Sequence, residues 1–268
     1  MSKLPTCVVV YLTDYCKLKC KHCFLSQNNC INKNMIDFGI IKKLLLTFKE
    51  NNVFMVAFTG GDPMLHPQIF EILSLTKKMN MLPLLGISGN NITDNIGESI
   101  FKNGVRCVQI GLNGSNEILN DSYRGKGNFL EVINAVNILK RNNVNVNLAF
   151  CLDKNNVSDL ENMLILAKKL NIYKVKIEFW NCTKPSIYNK NNELNFNEKE
   201  NVRIICDSYM DKNNKFGWIQ YPKSSSALSN IHKNSLVVMA NGDVKNNEMG
   251  KTLGNIYKND ILNIMEGK

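Results

Sequence analysis

The chain has 268 residues, 44% of them hydrophobic, and its 33 basic and 23 acidic residues give a formal net charge of +10. This length and apolar content suffice to bury a large core, as one large domain or as a domain with an appendage. No apolar stretch reaches the roughly 18 residues that span a bilayer, and the first residues lack the apolar core of an export signal, so we expect a cytoplasmic protein without membrane contact. The lysines are dispersed along predicted helices, which argues against nucleic acid as a partner and favours an acidic peptide or a small carboxylate.

The first predicted strand, residues 7–12, is followed by three cysteines, Cys16, Cys20 and Cys23. Three thiolates at this spacing can hold three irons of a cubane [4Fe–4S] cluster and leave the fourth iron open to a substrate or cofactor. Zinc is the alternative, because His22 adds a fourth borderline ligand. However, His22 lies between two of the cysteines and no second pair of zinc-type ligands follows, which favours the cluster. The total of nine cysteines, an odd number, argues against a disulfide framework and for a reducing compartment.

Short β-branched runs alternate with amphipathic stretches along the first two thirds of the chain, the pattern of βα units around a parallel sheet. The helix predicted over residues 158–170 opens with a capping box of Ser158 and Glu161. Six such units cannot close as eight do, so the sequence predicts an α/β fold, an open partial (β/α)6 barrel with ligands at the carboxyl ends of its strands. The strands are predicted at residues 7–12, 53–59, 82–87, 105–112, 144–152 and 175–180, and the helices at residues 36–50, 66–80, 93–102, 128–141 and 158–170.

Polar and glycine-rich motifs follow the second, third and fourth predicted strands. In the first of them glycine permits a positive φ or a close backbone approach, and proline stiffens the exit from the turn. Because the carboxyl ends of parallel strands share one edge of a sheet, we expect all three motifs beside the cysteines. The residues are Gly60, Gly61, Asp62 and Pro63 after the second strand, Ser88 and Asn90 after the third, and, at the end of the fourth strand and beyond it, Gly111, Asn113 and Arg124.

The spacing C-x3-C-x2-C just past a first strand resembles the signature of the radical S-adenosylmethionine (SAM) enzymes. The Gly-Gly-Asp-Pro turn is similar to the GGEP motif of that superfamily, with Asp62 in place of Glu. Residues 108–129 resemble the motif pair that follows strand four in the subgroup with a SPASM or twitch extension, although Gly111 and Asn113 stand where Ser and Asp are usual. The resemblance covers residues 7–180 well and residues 235–265 loosely.

This resemblance implies one [4Fe–4S] cluster, bound by Cys16, Cys20 and Cys23, whose open iron chelates the amino and carboxylate groups of SAM. One electron from the reduced cluster then cleaves the sulfonium C–S bond, and the resulting 5′-deoxyadenosyl radical removes a hydrogen atom from the substrate. An electron donor such as flavodoxin or ferredoxin is implied as a partner.

The resemblance also implies roles for individual side chains in cofactor binding. The turn at residues 60–63 would bind the methionine ammonium, and Arg124 would face the methionine carboxylate with two parallel donors. His22 would contact the adenine, mostly through its backbone, rather than act as an acid or base. For Arg124 the alternative is a solvated loop residue that pairs with Asp121.

The motifs after the third and fourth strands add further cofactor-binding candidates. Ser88 or Asn90 would touch the ribose, and Asn113 belongs to the same set. His66 and His232 have no evident partners in the sequence, and we assign them to structure or surface.

Two cysteines near the carboxyl ends of strands five and six, Cys151 and Cys182, are candidate catalytic residues. A thiol that faces the cavity can return a hydrogen atom to a substrate radical, and such a donor would allow net epimerisation.

Beyond residue 181 the sequence becomes polar, with a predicted helix over residues 198–212 and a short strand over residues 235–240. The order strand, N-G-D-V, L-G-N-I and short helix resembles a SPASM domain, which normally binds auxiliary iron–sulfur clusters. No cysteine follows Cys206, so we expect a degenerate remnant that binds none. The predicted domains are the barrel, residues 1–182, and a small α+β extension, residues 183–268.

The sequence therefore predicts a radical SAM enzyme, and the subgroup resemblance favours modification of a ribosomally made peptide by epimerisation or cross-linking. A small metabolite substrate, such as a tetrapyrrole or an antibiotic precursor, is the alternative. A non-catalytic metal-binding scaffold remains as a third possibility, and iron content with release of 5′-deoxyadenosine would distinguish it.

Overall fold

The computed structural model describes residues 4–23, 25, 34–181, 190–215, 217–222, 236–247 and 250–267. The predicted hydrogen donor Cys182 and the surface candidate His232 lie outside these residues. The strands in the described part are β1 (Cys7–Thr13), β2 (Met55–Gly60), β3 (Leu82–Ile87), β4 (Cys107–Gly111), β5 (Asn145–Leu152), β6 (Lys174–Phe179), β7 (Ile219–Gln220), β8 (Leu236–Val238), β9 (Asp243–Lys245) and β10 (Thr252–Asn255), and the helices are α1 (Phe38–Glu50), α2 (Ile69–Lys78), α3 (Asp94–Lys102), α4 (Glu117–Arg124), α5 (Asn128–Arg141), α6 (Leu160–Lys169), α7 (Phe196–Lys212) and α8 (Ile261–Met265).

The strands form one sheet in the order β10-β9-β8-β1-β2-β3-β4-β5-β6-β7. Every neighbouring pair from β8 through β1 to β7 is parallel, and β9 pairs with β8 and β10 antiparallel. Strands β1 to β6 follow chain order, and at least one helix separates each successive pair along the chain. The predicted α/β fold with an open partial barrel is confirmed.

The barrel strands alternate between buried and half-buried residues, as the period of two in a strand requires. In β5 the side chains of Val146, Leu148 and Phe150 are fully buried in the main hydrophobic core, whereas Asn147 and Cys151 are only half-buried. We call the half-buried side of β1 to β6 the inner face. No helix among the described residues is long and apolar enough to cross a bilayer.

Helix α4 lies between the strand predicted over residues 105–112 and the helix predicted over residues 128–141, where the sequence predicts no helix. The side chain of Asn116 caps this helix by accepting a hydrogen bond from the Leu119 N–H at 3.0 Å. Its buried residues are Asn120, Tyr123 and Arg124. Because two of these three are polar, the helix has no apolar stripe for sequence periodicity to detect.

The predicted capping box of Ser158 and Glu161 is wrong. A short 3-10 turn occupies Val157–Asp159, and α6 begins only at Leu160. The carboxylate of Asp159 accepts hydrogen bonds from the backbone N–H and the hydroxyl of Ser115, at 2.6 and 2.7 Å. This acidic side chain therefore holds the loop after β4 instead of capping its own helix.

The C-terminal third of the chain adds strands to both edges of the barrel sheet. The two-residue β7 continues the sheet beyond β6, and β8 pairs in parallel with β1, Val8 opposite Leu236. Leu236 and Val238 belong to the main core, while Val237 and Met239 pack on Tyr11 in a separate apolar cluster. The boundary between domains at residue 182 stays a prediction.

Candidate active site

The three motif cysteines lie in a loop that leaves the carboxyl end of β1. At its start, the Thr13 hydroxyl donates to the Asn34 carbonyl at 2.9 Å and the Asp14 N–H donates to the same oxygen at 2.9 Å. Toward its end, the Lys21 N–H donates to the Tyr123 carbonyl in α4 at 2.9 Å. The loop is thus fixed between the edge of the sheet and the end of α4.

The thiols of Cys20 and Cys23 lie close enough to Cys16 to influence its pKa. The pKa of Cys16 is raised to about 11, first by burial and further by the negative charges of Asp62, Cys20 and Cys23, against a hydrogen bond from the Leu18 N–H. No described cysteine forms a disulfide. Among the described residues, no three His, Cys, Asp or Glu side chains converge on one metal-ion position. A cubane does not require that convergence, since each cysteine binds a different iron.

The Gly-Gly-Asp-Pro turn packs directly against the cysteine loop. Gly60 has a φ of +142°, and a Cβ on Gly61 would lie 2.3 Å from the Tyr15 carbonyl oxygen, so no side chain fits there. The Gly61 N–H donates to the Thr13 carbonyl at 2.7 Å, and the Asp62 N–H donates to the Tyr15 carbonyl at 2.9 Å. Backbone hydrogen bonds and close packing therefore join the turn and the loop into one unit.

Asp62 places a buried carboxylate in this unit. Its Oδ1 accepts the Met64 N–H at 3.1 Å, and its Oδ2 accepts the Ser88 hydroxyl from the end of β3. Burial raises the pKa of Asp62, whereas the hydrogen bonds from Ser88 and Met64 and the charge of Arg124 lower it. A cation bound here would favour the ionised form.

Arg124 is 8% exposed, and neutral amides hold its guanidinium. Its Nε donates to the Asn128 Oδ1 at 3.0 Å, and its Nη1 donates to the Asn113 Oδ1 at 3.2 Å. Asn128 also accepts from the Asn120 Nδ2 at 3.2 Å and donates to the Asn90 Oδ1 at 2.6 Å. This asparagine network joins the ends of β3 and β4 to the start of α5.

The alternative role for Arg124, a solvated residue paired with Asp121, is wrong. The Asp121 carboxylate accepts the backbone N–H groups of Gly127 and Phe129 instead and so closes the turn between α4 and α5. Arg124 forms no ion pair with any carboxylate of the described residues. Burial raises the pKa of Cys20 and of Asp62, and the positive charge of Arg124 opposes that rise. Burial and the same charge together lower the pKa of His22.

The presence of glycine at position 111, where the family motif usually has serine, has a steric explanation. A Cβ at this position would lie 2.4 Å from Nη1 of Arg124. The guanidinium thus occupies the space that the serine of the family motif would fill, and glycine with the Asn113 amide forms a seat for it.

His22 packs against Tyr123, with ring centroids 6.1 Å apart. Burial, followed by the charge of Arg124, lowers the pKa of His22 to about 3, so the ring is neutral near pH 7. Its Nδ1 is buried and has no hydrogen-bond partner among the described residues. A neutral ring supports the packing role and not acid–base chemistry. His66 is structural, since its Nδ1 accepts the Gln68 N–H at 3.1 Å and its Nε2 lies 3.0 Å from the Ile36 carbonyl.

Cys151 lies half-buried at the carboxyl end of β5, where it pairs with Glu178 of β6. The pKa of the Cys151 thiol is raised, first by burial and then by the negative charges of Glu178 and Asp153, and the charge of Arg124 opposes this rise only in part. The thiol therefore stays protonated at neutral pH. Ser88 and Asn90, the ribose candidates, use their side chains within the protein, Ser88 on Asp62 and Asn90 on Asn128.

Sequence reasoning missed Asn120 and Asn128, which lie in the matched motif and are fully buried. Arg124 ends α4 and Asn128 begins α5, so helical spacing gives no signal for their contact.

The residues at this edge fit the cluster and SAM. Three coupled thiols provide the iron ligands. A turn without room for a Cβ, a buried carboxylate and a buried guanidinium without a carboxylate partner among the described residues can hold a zwitterionic amino acid. The orphaned Nδ1 of His22 marks a further polar position beside them.

Residues 10–167 match the family model described as the radical SAM superfamily, so the chain belongs to that superfamily. It is a radical SAM enzyme, a class that uses a [4Fe–4S] cluster and SAM. Among curated proteins it is 25% identical over 169 residues to "AdoMet-dependent heme synthase" of Oleidesulfovibrio alaskensis, across 62% of this chain and 44% of that protein. It is 24% identical over 174 residues to "PqqA peptide cyclase" of Gluconobacter oxydans, across 65% of this chain and 49% of that protein. The chain thus spans about half the length of these relatives.

The fold is similar to the crystal structure of Streptococcus suis SuiB bound to precursor peptide SuiA. The TM-score is 0.83 at 16% identity, and the match covers 98% of this chain and 65% of that chain. The similarity extends beyond the region of the family model into the C-terminal strands.

Proposed function

We propose that this protein cleaves SAM reductively at the carboxyl edge of its barrel and modifies a ribosomally made peptide, by epimerisation or cross-linking. One observation carries the proposal: the motif cysteines, Asp62 and Arg124 share this edge, and Arg124 is buried without a described carboxylate partner. A buried guanidinium is costly unless an anion or good hydrogen bonds compensate it. The carboxylate of SAM is the anion that we assign to it.

The chain's own residues bind and orient the cofactor. Cys16, Cys20 and Cys23 hold the cluster, which when reduced supplies the electron that cleaves SAM to a 5′-deoxyadenosyl radical. Asp62 and the backbone of Gly60 and Gly61 receive the methionine ammonium, with Pro63 stiffening the turn. Arg124, held by Asn113, faces the carboxylate.

The adenosine half of the cofactor is assigned to the loop and to the end of β3. His22 borders the adenine through its backbone and packed ring. The side chains of Ser88 and Asn90 already bond within the protein, so their support for the ribose acts by fixing the shape of this strand end.

A peptide substrate is favoured by two similarities that name one, a peptide cyclase and a structure bound to a precursor peptide. The second of them shares the architecture of nearly the whole chain. The alternative, a tetrapyrrole, is supported by the similarity to the heme synthase, which covers 62% of the chain.

Cys151 is the hydrogen donor that we propose for an epimerisation. A donor must carry its S–H hydrogen, and burial beside Glu178 keeps this thiol protonated. Transfer of that hydrogen atom to a substrate carbon radical would leave a thiyl radical, which an electron and a proton from the reductant would restore. Cys182 is the second candidate.

We propose an acidic one-electron donor such as flavodoxin or ferredoxin as partner, and the cytoplasm as compartment. Lys17, Lys19 and Lys21 alternate with the cysteine ligands and are exposed, which suits a negatively charged donor. The absence of disulfides among the described cysteines suits a reducing compartment.

The direct experiment is anaerobic reconstitution with iron and sulfide. We expect about four irons per chain and release of 5′-deoxyadenosine when dithionite and SAM are added. Alanine at Cys16, Cys20 or Cys23 should abolish both the brown chromophore and the cleavage, and Cys107→Ala on β4 is the matched control. Zinc without iron, or full cleavage by the Cys20→Ala variant, would contradict the proposal.

The substrate class is tested by coexpression with any short precursor peptide encoded beside this protein. Mass spectrometry in D2O should show a gain of one deuterium for epimerisation, or a loss of two hydrogens for a cross-link. A porphyrin modified in place of the peptide would establish the alternative.

A further inference from the structure

A groove of about 700 Å3 lies at the amino-terminal ends of β5, β6 and β7, away from the candidate active site. The end of α5 and the loops that lead into β6 and β7 form its walls. We call it the lysine groove, after Lys140, Lys174 and Lys215, which line it together with Tyr173 and Trp218.

The charge of the lysine groove has one sign. Its lining contains three lysines and no acidic residue among the described residues, and none of the three forms an ion pair within the part of the chain that the structure describes. Each lysine is half-buried, so its charge is concentrated in a concavity rather than spread over open surface.

The groove is held in place by its own contacts. The indole N–H of Trp218 donates to the Ile172 carbonyl at 2.8 Å, and the ammonium of Lys215 lies 4.4 Å from the centre of the Trp218 ring. The ammonium of Lys140 donates to the Leu170 carbonyl at the end of α6 at 2.6 Å. Two lysines are therefore positioned before any ligand arrives, which lowers the entropic cost of binding.

The rim offers groups that suit a peptide. The ring of Tyr173 is 59% exposed, a large amphipathic surface of the kind that binds partners at low entropic cost. The exposed amides of Asn143 and Asn171 flank it, and an amide can both donate to and accept from a peptide backbone.

The distance from the active site limits what the groove can hold. Strand β5 has eight residues, and at about 3.3 Å per residue its two ends lie more than about 20 Å apart. A residue undergoing reaction at the carboxyl edge cannot reach the groove, but a segment several residues away in the same peptide can.

Resting on the peptide substrate proposed above, we propose that the lysine groove binds an acidic segment of that peptide, remote from the residue that reacts. Charge complementarity selects the segment, and Tyr173 with the two amides holds its backbone.

The test is fluorescence anisotropy with a fluorescein-labelled peptide of alternating glutamate and glycine. The same peptide with glutamine, and a labelled oligouridylate, serve as comparison probes. Wild type should bind the glutamate peptide, and Lys174→Glu/Lys215→Glu should weaken that binding by about tenfold or more. The control Lys42→Glu/Lys43→Glu removes the same net charge from exposed positions of α1 and should change it by less than about twofold.

Equal losses in the two double variants, or equal affinity for the glutamine peptide, would overturn the proposal. Tighter binding of oligouridylate, lost in the groove variant, would make the groove a nucleic-acid site and overturn it as well. Tyr173→Ala removes an exposed ring without changing charge, so it should fold and bind the glutamate peptide more weakly even if the double variant does not fold. The assay needs neither cluster nor SAM, and failure of SAM cleavage therefore leaves its result unaffected.

Discussion

At the scale of single residues, Arg124 carries a buried positive charge whose guanidinium donates its hydrogen bonds to neutral amides. Asn113 and Asn128 each accept a hydrogen bond from the guanidinium, but neither amide carries a negative charge. Hydrogen bonds to neutral acceptors offset part of the cost of removing a guanidinium from water. An anionic ligand would offset more of that cost, so occupancy of the site and stability of the network should be coupled.

Gly111→Ser restores the residue usual in the family motif and should weaken SAM binding. The new side chain would enter the space of the Arg124 guanidinium and displace it, and loss of a charge-assisted contact costs about tenfold or more in affinity. Equilibrium dialysis of SAM with reconstituted protein measures the effect. Ala57→Ser, at a half-buried inner-face position of β2, is the control, and wild-type affinity in Gly111→Ser would refute the seat that we describe.

Two substitutions at Asn128 distinguish its structural support of Arg124 from the importance of the positive charge on Arg124. Asn128→Ala should lower the free energy of unfolding by about 1–3 kcal/mol, because Arg124, Asn120 and Asn90 each lose a buried partner. Asn128→Asp keeps the two accepting contacts and should be closer to wild type in stability. It should nevertheless bind SAM about tenfold more weakly, since its carboxylate would neutralise the guanidinium. Thermal melts and SAM dialysis give the two readouts, and an Asp variant with unchanged SAM affinity would contradict the role of Arg124.

At the scale of elements, the C-terminal extension is part of the barrel sheet rather than an attachment to it. Leu236 on β8 is fully buried in the main core, whereas Leu253 on β10 is 47% exposed. Leu236→Ala should cost about 2–5 kcal/mol, and Leu253→Ala about 0.5 kcal/mol. Denaturant titration tests the pair, and equal effects would mean that β8 contributes no more to the core than the exposed edge does.

Apolar periodicity predicted every strand from β1 to β6 and the helices between them, with ends displaced by a few residues. It missed α4, because that helix buries Asn120 and Arg124 where an apolar stripe was sought. It missed β7, whose two residues are too short to show any period. The capping box of Ser158 and Glu161 failed because a 3-10 turn occupies Val157–Asp159 and α6 begins only at Leu160.

In the candidate site, too, residues within local motifs could be predicted from the sequence, whereas contacts between distant residues could not. Local motifs identified the cysteines, the turn at residues 60–63 and Arg124. The pairing of Asn90 with Asn128, 38 residues apart, and of Asn113 with Cys151, also 38 apart, depends on the order of strands in the sheet. No local pattern contains that order, and so the partners of Arg124 became visible only in three dimensions.

At the scale of the whole molecule, part of the net charge of +10 is concentrated beside Cys16, Cys20 and Cys23. Lys17, Lys19 and Lys21 are exposed there, and the sequence contains no acidic residue between Asp14 and Asp37. A field of this kind accelerates association with an acidic protein and is screened by salt.

Lys17→Glu/Lys19→Glu should therefore slow SAM cleavage driven by reduced flavodoxin by about tenfold at low ionic strength, and by less at high ionic strength. Cleavage driven by dithionite should remain at the wild-type rate, since a small reductant needs no docking surface. Lys42→Glu/Lys43→Glu is the charge-matched control. An equal loss of SAM cleavage with both reductants would indicate damage to the cysteine loop rather than to a docking surface.

The pairing of Val8 with Leu236 has a consequence for biosynthesis. During translation β1 emerges first, yet one of its two neighbours does not exist until more than two hundred further residues have left the ribosome. Until then one edge of this strongly apolar strand stays unpaired in the nascent chain, a state prone to association with other chains. The cysteine loop is anchored to the end of this same strand, and we therefore expect iron and sulfide to be inserted after synthesis is complete and not while it is in progress.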